Sequence, residues 1–200
     1  MHRLVTCVLV GFVTWYATAA PSAAEVVRTT ITVRVYQTAG LSPSLEDRAL
    51  AEAESILRGG FVNVRWRICT GRDRGRTGVC DAPLAASERA IRIVRRGGVR
   101  DDGPVALGNA LVERSAGGVL ATVYFDRVAW LANTAHTDAA VVLGRAVAHE
   151  LAHLLMRTAA HTGCGLMRPR WTPREIRRNS TTDWSFTAGD VVAMYEPGLR

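Results

Sequence analysis

The stretch HELAHLLMRTAAHTGCGLMRPRW, His149 to Trp171, decides how the rest of the chain is read. Its first five residues put two histidines four positions apart. On a helix that spacing projects both imidazoles from one face about a turn apart, where they can share one metal ion. Glu150 follows His149 directly, so its carboxylate falls beside such an ion rather than on it, in place to take a proton from a metal-activated water. Zn2+ suits neutral imidazoles, and three protein ligands leave a fourth position open for chemistry. Two histidines that only hydrogen-bond inside a core would give the same five letters. The downstream histidine, the preceding sheet pattern and the leader described below favour the metal.

Working outward, Asp138 to Met156 forms one long helix carrying Val141, Val142, Val147, Leu151, Leu154 and Leu155. An unbroken helix would carry His161 about 18 Å along the axis from His149, too far to share an ion. The chain must therefore leave the helix near Arg157 or Thr158 for His161 to return as third ligand, with Gly163 and Gly165 freeing the loop that follows. Glu175 is the rival third ligand. It follows Thr172-Pro173, which can open a short helix, at a separation that suits a carboxylate. Upstream, Arg28 to Tyr36 alternates with period two as a strand. Ser44 to Arg58 has helical spacing and stops at Gly59-Gly60, and Phe61 to Ile68 returns to strand character. This βαβ unit starts a parallel sheet. Strands at Ala90 to Val94, Val105 to Val112 and Gly118 to Phe125 follow, the last two joined through a Gly117-Gly118 turn and so antiparallel. The expected fold class is α/β (α+β), with a mixed five-stranded sheet. After Gly163 little regular structure is expected until a final helix at Thr187 to Tyr195.

His149 to Trp171 resembles the active-site segment of metzincin-type zinc peptidases, in particular bacterial exported members with a lengthened gap before the third histidine. The resemblance implies His149, His153 and His161 as ligands, Glu150 as general base, and Met167 as the methionine of the turn beneath the metal. It also implies an antiparallel edge strand in the sheet. Two departures from the usual pattern stand out. The third histidine follows the second by eight positions instead of six, and Met156 stands where a glycine is usual.

The chain of 200 residues, 48% of them hydrophobic, has room for one substantial core. Its start, His2 and Arg3 followed by an apolar run from Leu4 to about Ala20, reads as a signal peptide. Ser22-Ala23-Ala24 gives residues 1–24 as the leader and 25–200 as a single zinc metallopeptidase domain. The apolar run is shorter than the ~20 residues of a spanning helix, so no stable membrane insertion is expected; a retained anchor is the alternative. Cys7 lies too near the terminus for lipoprotein processing. The compartment is then secreted or periplasmic, where a Cys69–Cys80 disulfide can close the Arg- and Gly-rich loop between them. That leaves Cys164 unpaired, as a buried thiol or, alternatively, a metal contact.

A net charge of +7 invites a nucleic-acid reading. Every basic residue is Arg, the charge is scattered, and neither Arg72/Arg74/Arg76 nor Arg92/Arg95/Arg96/Arg100 is interleaved with aromatics. No nucleic-acid partner is expected, and an acidic partner or anionic surface is the remaining use of the charge. The leading expectation is a monomeric secreted peptidase acting on a peptide or protein, which would pair along the Val105–Val112 edge strand. The alternatives are a zinc-bound exported binding module without catalysis, and a small basic protein whose motif is accidental.

Overall fold

In the computed structural model, residues 29–69, 78–96, 106–113 and 117–196 are described. The leader, most of the loop inside the cysteine pair, and Val105 lie outside them. The order is β1 (Thr29–Gln37), α1 (Pro43–Gly59), β2 (Val62–Ile68), β3 (Glu88–Val94), β4 (Gly108–Glu113) and β5 (Gly117–Tyr124), then α2 (Phe125–Thr134), α3 (Ala139–Met156), α4 (Pro173–Arg178) and α5 (Ala188–Tyr195). These strands make one mixed sheet in the order β2-β1-β3-β5-β4. Its pairs are parallel except β4 with β5, which is antiparallel. The expected fold class is the one observed, and the antiparallel strand lies at the edge.

Alternation in β1 sends Ile31, Val33 and Val35 to the helix-covered face, and Ile91 and Ile93 of β3 continue that layer. Against it pack α1, through Ala49, Leu50, Ala53 and Leu57, and α3. The start of α1 is set by Ser42, whose hydroxyl accepts from the Leu45 N–H at 3.3 Å, with Pro43 in the first turn. Ser44, where the sequence pattern starts the helix, sits just inside it. Close approach explains two glycines: a Cβ at Gly144 would come within 2.5 Å of the Ala49 carbonyl oxygen, and one at Gly118 within 2.5 Å of a Leu154 methyl. The helix α3 is buried almost throughout. Among the described residues it is long and apolar enough to cross a membrane by length and composition, yet here it is the core helix of the fold.

On the opposite face Arg34 is buried, ion-paired with Glu88, and donates to the Ala82 carbonyl at 2.6 Å. The guanidinium holds the Glu88 carboxyl below its ordinary range. Tyr36 donates to the Cys80 carbonyl at 2.8 Å, next to the Cys69–Cys80 disulfide, which is formed as expected.

Four readings need correction. Gly117 and Gly118 are not a turn; they pair with Glu113 and Val112 inside the β4–β5 ladder. Residues 125–134, not expected to be helical, form α2, whose Phe125, Val128, Leu131 and Ala132 share a buried face. The tail is more regular than expected, because Thr172 and Glu175 close a capping box that starts α4, and a 3-10 turn follows at Thr181–Trp184. Cys164 is free but exposed rather than buried.

Candidate metal centre

The site grows from α3. Asp138 caps it, accepting from the Ala140 N–H at 2.9 Å, and His149, Glu150 and His153 lie buried on its inward side. The helix ends at Arg157, which takes a left-handed conformation at φ 52°. That residue does the work of the missing glycine, at some steric cost for a side chain with a Cβ. The chain reverses there, and the Thr158 carbonyl accepts from Nδ1 of His153 at 2.8 Å. The loop then brings His161 back, its ring centre 5.3 Å from that of His149 and 4.8 Å from that of His153.

Beneath His149 the segment from Cys164 to Met167 forms a tight turn. Gly165 has φ +71°, and a Cβ there would meet the Ser185 carbonyl oxygen at 2.7 Å. Leu166 donates its N–H to Ser185, and its carbonyl accepts from Nδ1 of His149 at 3.0 Å. Met167 is fully buried, and its carbonyl accepts from the Thr162 N–H at 2.9 Å, tying the turn to the His161 loop.

The donor set can be tested for zinc on this geometry. Both Nδ1 atoms face carbonyl oxygens, so both carry the proton, and the two Nε2 atoms are left as acceptors. Yet they lie 3.1 Å apart and face each other. Two lone pairs facing each other at that distance repel, and a cation between them relieves the repulsion. Two zinc–nitrogen bonds of about 2.0–2.1 Å at a tetrahedral angle would put the nitrogens about 3.3 Å apart. The ligand atoms of His149, His153 and His161 all lie within 4.8 Å of one another, and this three-histidine group suits Zn2+. Burial keeps the imidazoles in the neutral, metal-binding form. It pushes the His149 pKa down to about 3 and that of His153 to about 4, helped by the neighbouring histidines. His161, open to solvent on its outer side, is shifted downward too, through partial burial.

Glu150 points toward the edge strand. One carboxylate oxygen, Oε2, is buried without a hydrogen-bond partner, and burial pushes the pKa up to about 8. Gly108 of β4 makes room for it, since a Cβ there would stand 2.6 Å from Glu150 Oε1. A cleft of about 250 Å3 opens over these residues, between the 107–110 stretch, Leu131 of α2 and the segment Arg168 to Trp171. The Trp171 ring stands edge-on to His149 at 5.6 Å and to Trp184 at 5.2 Å.

Glu175 is not among these groups. Its Oε2 accepts from the Thr172 N–H and hydroxyl, each at 2.8 Å, and its Oε1 pairs with Arg168 at 3.2 Å. Cys164 is likewise outside the three-histidine group. Sequence reasoning singled out neither Gly108 nor Arg168, and gave Trp171 no role in the cleft. The compact Arg168-Pro169-Arg170-Trp171 run beside the motif was a usable hint.

The sequence matches no family model, and no curated protein matches it. Among solved structures it is similar to a zinc-dependent peptidase from Methanocorpusculum labreanum (strain Z), at 13% identity and a TM-score of 0.53, covering 81% of this chain and 99% of that one. Archaemetzincin from Methanopyrus kandleri (18% identity, TM-score 0.49, 86% of this chain and 97% of that one) and metalloproteinase-II from Bacteroides fragilis (18%, 0.49, 86% and 54%) also align. The chain thus shares its fold with the zinc-dependent peptidase from M. labreanum.

Proposed function

We propose that the protein is an exported zinc-dependent peptidase of the metzincin type with a lengthened gap before the third histidine. In this reading His149, His153 and His161 hold the ion, Glu150 is the general base, and Met167 belongs to the supporting turn. Residues 1–24 are a signal peptide, and 25–200 are one catalytic domain that works as a monomer outside the cytoplasm. The observation that carries the reading is the pair of Nε2 atoms facing each other 3.1 Å apart while both Nδ1 atoms turn to carbonyl oxygens, with His161 alongside. The fold shared with a zinc-dependent peptidase and the Cys69–Cys80 disulfide support it, the latter being compatible with an oxidising compartment. The engagement of both Glu175 oxygens elsewhere supports His161 as the third ligand.

Zinc, when bound, supplies Lewis acidity that polarises a peptide carbonyl and makes water a nucleophile near neutral pH. The chain's own residues do the rest. The Thr158 and Leu166 carbonyls orient two imidazoles through their Nδ1–H groups, a common device for fixing a ligand's tautomer. Glu150, its carboxyl kept ionised by a cation on the histidines against the burial that otherwise raises its pKa, takes the proton of the attacking water and hands it to the leaving amine. The free edge of β4, next to Glu150, pairs with an extended substrate backbone.

The test is metal analysis of the purified protein together with a casein assay. Stoichiometric zinc and chelator-sensitive cleavage are expected, with Glu150→Gln retaining zinc and losing turnover. Zinc without cleavage would make the protein a binding module; absence of zinc binding would sink the reading altogether.

A further inference from the structure

The wall of the cleft beside His149 carries two guanidinium groups, and Glu150 is the only acid among its described lining residues. Arg170 is exposed at the mouth and has no hydrogen-bond or ion-pair partner among the described residues. Arg168 is mostly buried and unevenly served. Its Nη1 is shared by Glu175 at 3.2 Å and Asp183 at 3.1 Å, while Nε and Nη2 are buried with no partner.

Nε and Nη2 form the side-on edge of a guanidinium, the edge that meets a carboxylate with two parallel hydrogen bonds. Neither nearby acid is free to turn to it. Glu175 also closes the capping box of α4, and Asp183 is ion-paired with Arg178 as well. A buried donor of a charged group left without an acceptor is more costly than a neutral one. Both atoms are closed off by the surrounding chain, so the guanidinium left open to a substrate in this wall is that of Arg170.

We propose that the cleft selects substrates bearing a carboxylate close to the bond that is cut, received by the exposed guanidinium of Arg170. This inference rests on the peptidase reading above. Arg170 determines specificity and is not a catalytic residue. Its place relative to the reaction follows from the cleft it lines together with His149, Glu150 and His161, and from Trp171, its neighbour in sequence, whose ring stands edge-on to the His149 ring at 5.6 Å. The carboxylate it receives therefore belongs to a residue near the scissile bond, and a peptide scan reads which one. Its source is either an Asp or Glu side chain or the carboxylate that ends the chain.

The test uses the zinc-loaded protein and two peptide arms. In the first, capped and amidated peptides differ only by Glu or Gln, scanned over three positions on each side of the cut. In the second, the Gln peptide ends in a free carboxylate at those positions. A charge-assisted pair predicts a preference in kcat/KM on the order of 10- to 100-fold for the carboxylate at one position. Arg170→Ala should remove most of that preference, Arg170→Lys should restore part of it, and Arg170→Glu should turn it toward a Lys-bearing peptide. A preference in the first arm assigns a side chain as the source, and one in the second arm assigns the chain end. A Glu-to-Gln ratio near one in both arms, or one that Arg170→Glu leaves unchanged, overturns the proposal. Should no peptide be cut, the peptidase reading fails first. Anisotropy of labelled Glu and Gln peptides on the same protein then decides the carboxylate inference separately, equal affinities overturning it.

Discussion

Replacing Gly108 by alanine tests whether the edge strand positions Glu150. A Cβ at that position would lie 2.6 Å from Glu150 Oε1, 2.8 Å from its Cγ and 2.6 Å from the Thr122 carbonyl oxygen. Relaxed contacts between such atoms start at about 3.5 Å, so roughly 0.9 Å must be found at the two shortest contacts. The Thr122 oxygen is backbone of β5, locked between β3 and β4, so it cannot yield that much. The Thr122 contact is relieved only by displacement of the edge strand β4 itself, and the Glu150 carboxylate, the softer neighbour, must swing or tilt away. Displacing a catalytic group by about 1 Å costs on the order of 100-fold in rate, and that fall in kcat/KM is the expected result for Gly108→Ala. Zinc content should stay at the wild-type level, since no histidine is touched. Overpacking should cost about 1–3 kcal/mol, read as a drop of several degrees in Tm. Gly59→Ala is the control, because its Cβ would have no heavy atom within 4 Å. A Gly108→Ala protein with wild-type kcat/KM on a fluorogenic peptide would refute the coupling between edge strand and general base.

Three further outcomes are expected. His161→Ala should lose most of its zinc at micromolar free metal, while Glu175→Ala keeps it and loses about 1 kcal/mol with its capping box; the reverse pattern of metal content would reassign the third ligand. Glu88 has its folded pKa held below the ordinary 4.5 by Arg34, so its stabilisation is complete above that value and is lost as pH falls through the lower folded one. Acid melts should therefore show a steeper loss of stability below about pH 4.5 for wild type than for Glu88→Gln, and parallel profiles would contradict this. Cys69→Ser opens a short disulfide-closed loop and should cost about 3 kcal/mol under oxidising conditions without altering metal content; an unchanged denaturation midpoint would argue against the bridge.

The parts of the fold legible in the sequence are those written in local periodicity. Period-two alternation in residues 28–36 and the helical spacing of Leu50, Ala53 and Leu57 gave elements within a residue or two of the observed ends. Helix α2 escaped because no side chain caps it: Tyr124 precedes it in extended conformation, and Phe125 passes equally well as the last residue of a strand. Gly117-Gly118 misled for the opposite reason, since glycines that let Leu154 approach a strand look like glycines that make a turn. The site divides in the same way. His149, Glu150 and His153 are fixed relative to one another by a single helix, and so is the expectation that the chain must turn near Arg157. The return of His161 depends on a left-handed arginine, a conformation no local preference announces. Gly108, Arg168 and Trp171 are brought to the cleft by the sheet edge and the tail, contacts between segments far apart in sequence.

The buried character of α3 bears on how such a protein is made. A chain threaded unfolded across a membrane presents each apolar segment in turn to the lipid, and one of 18 residues with the composition of Ala139–Met156 is a candidate to stop there. Within it Arg145 and Glu150 are ionisable groups whose placement mid-bilayer costs on the order of 3 kcal/mol each, and His149 and His153 add further polarity. For an exported chain, as proposed, the side chains that build the site would then also favour the segment's leaving the translocation channel on the aqueous side. Substituting several of them together with apolar residues would produce a protein caught in the membrane before it could fold.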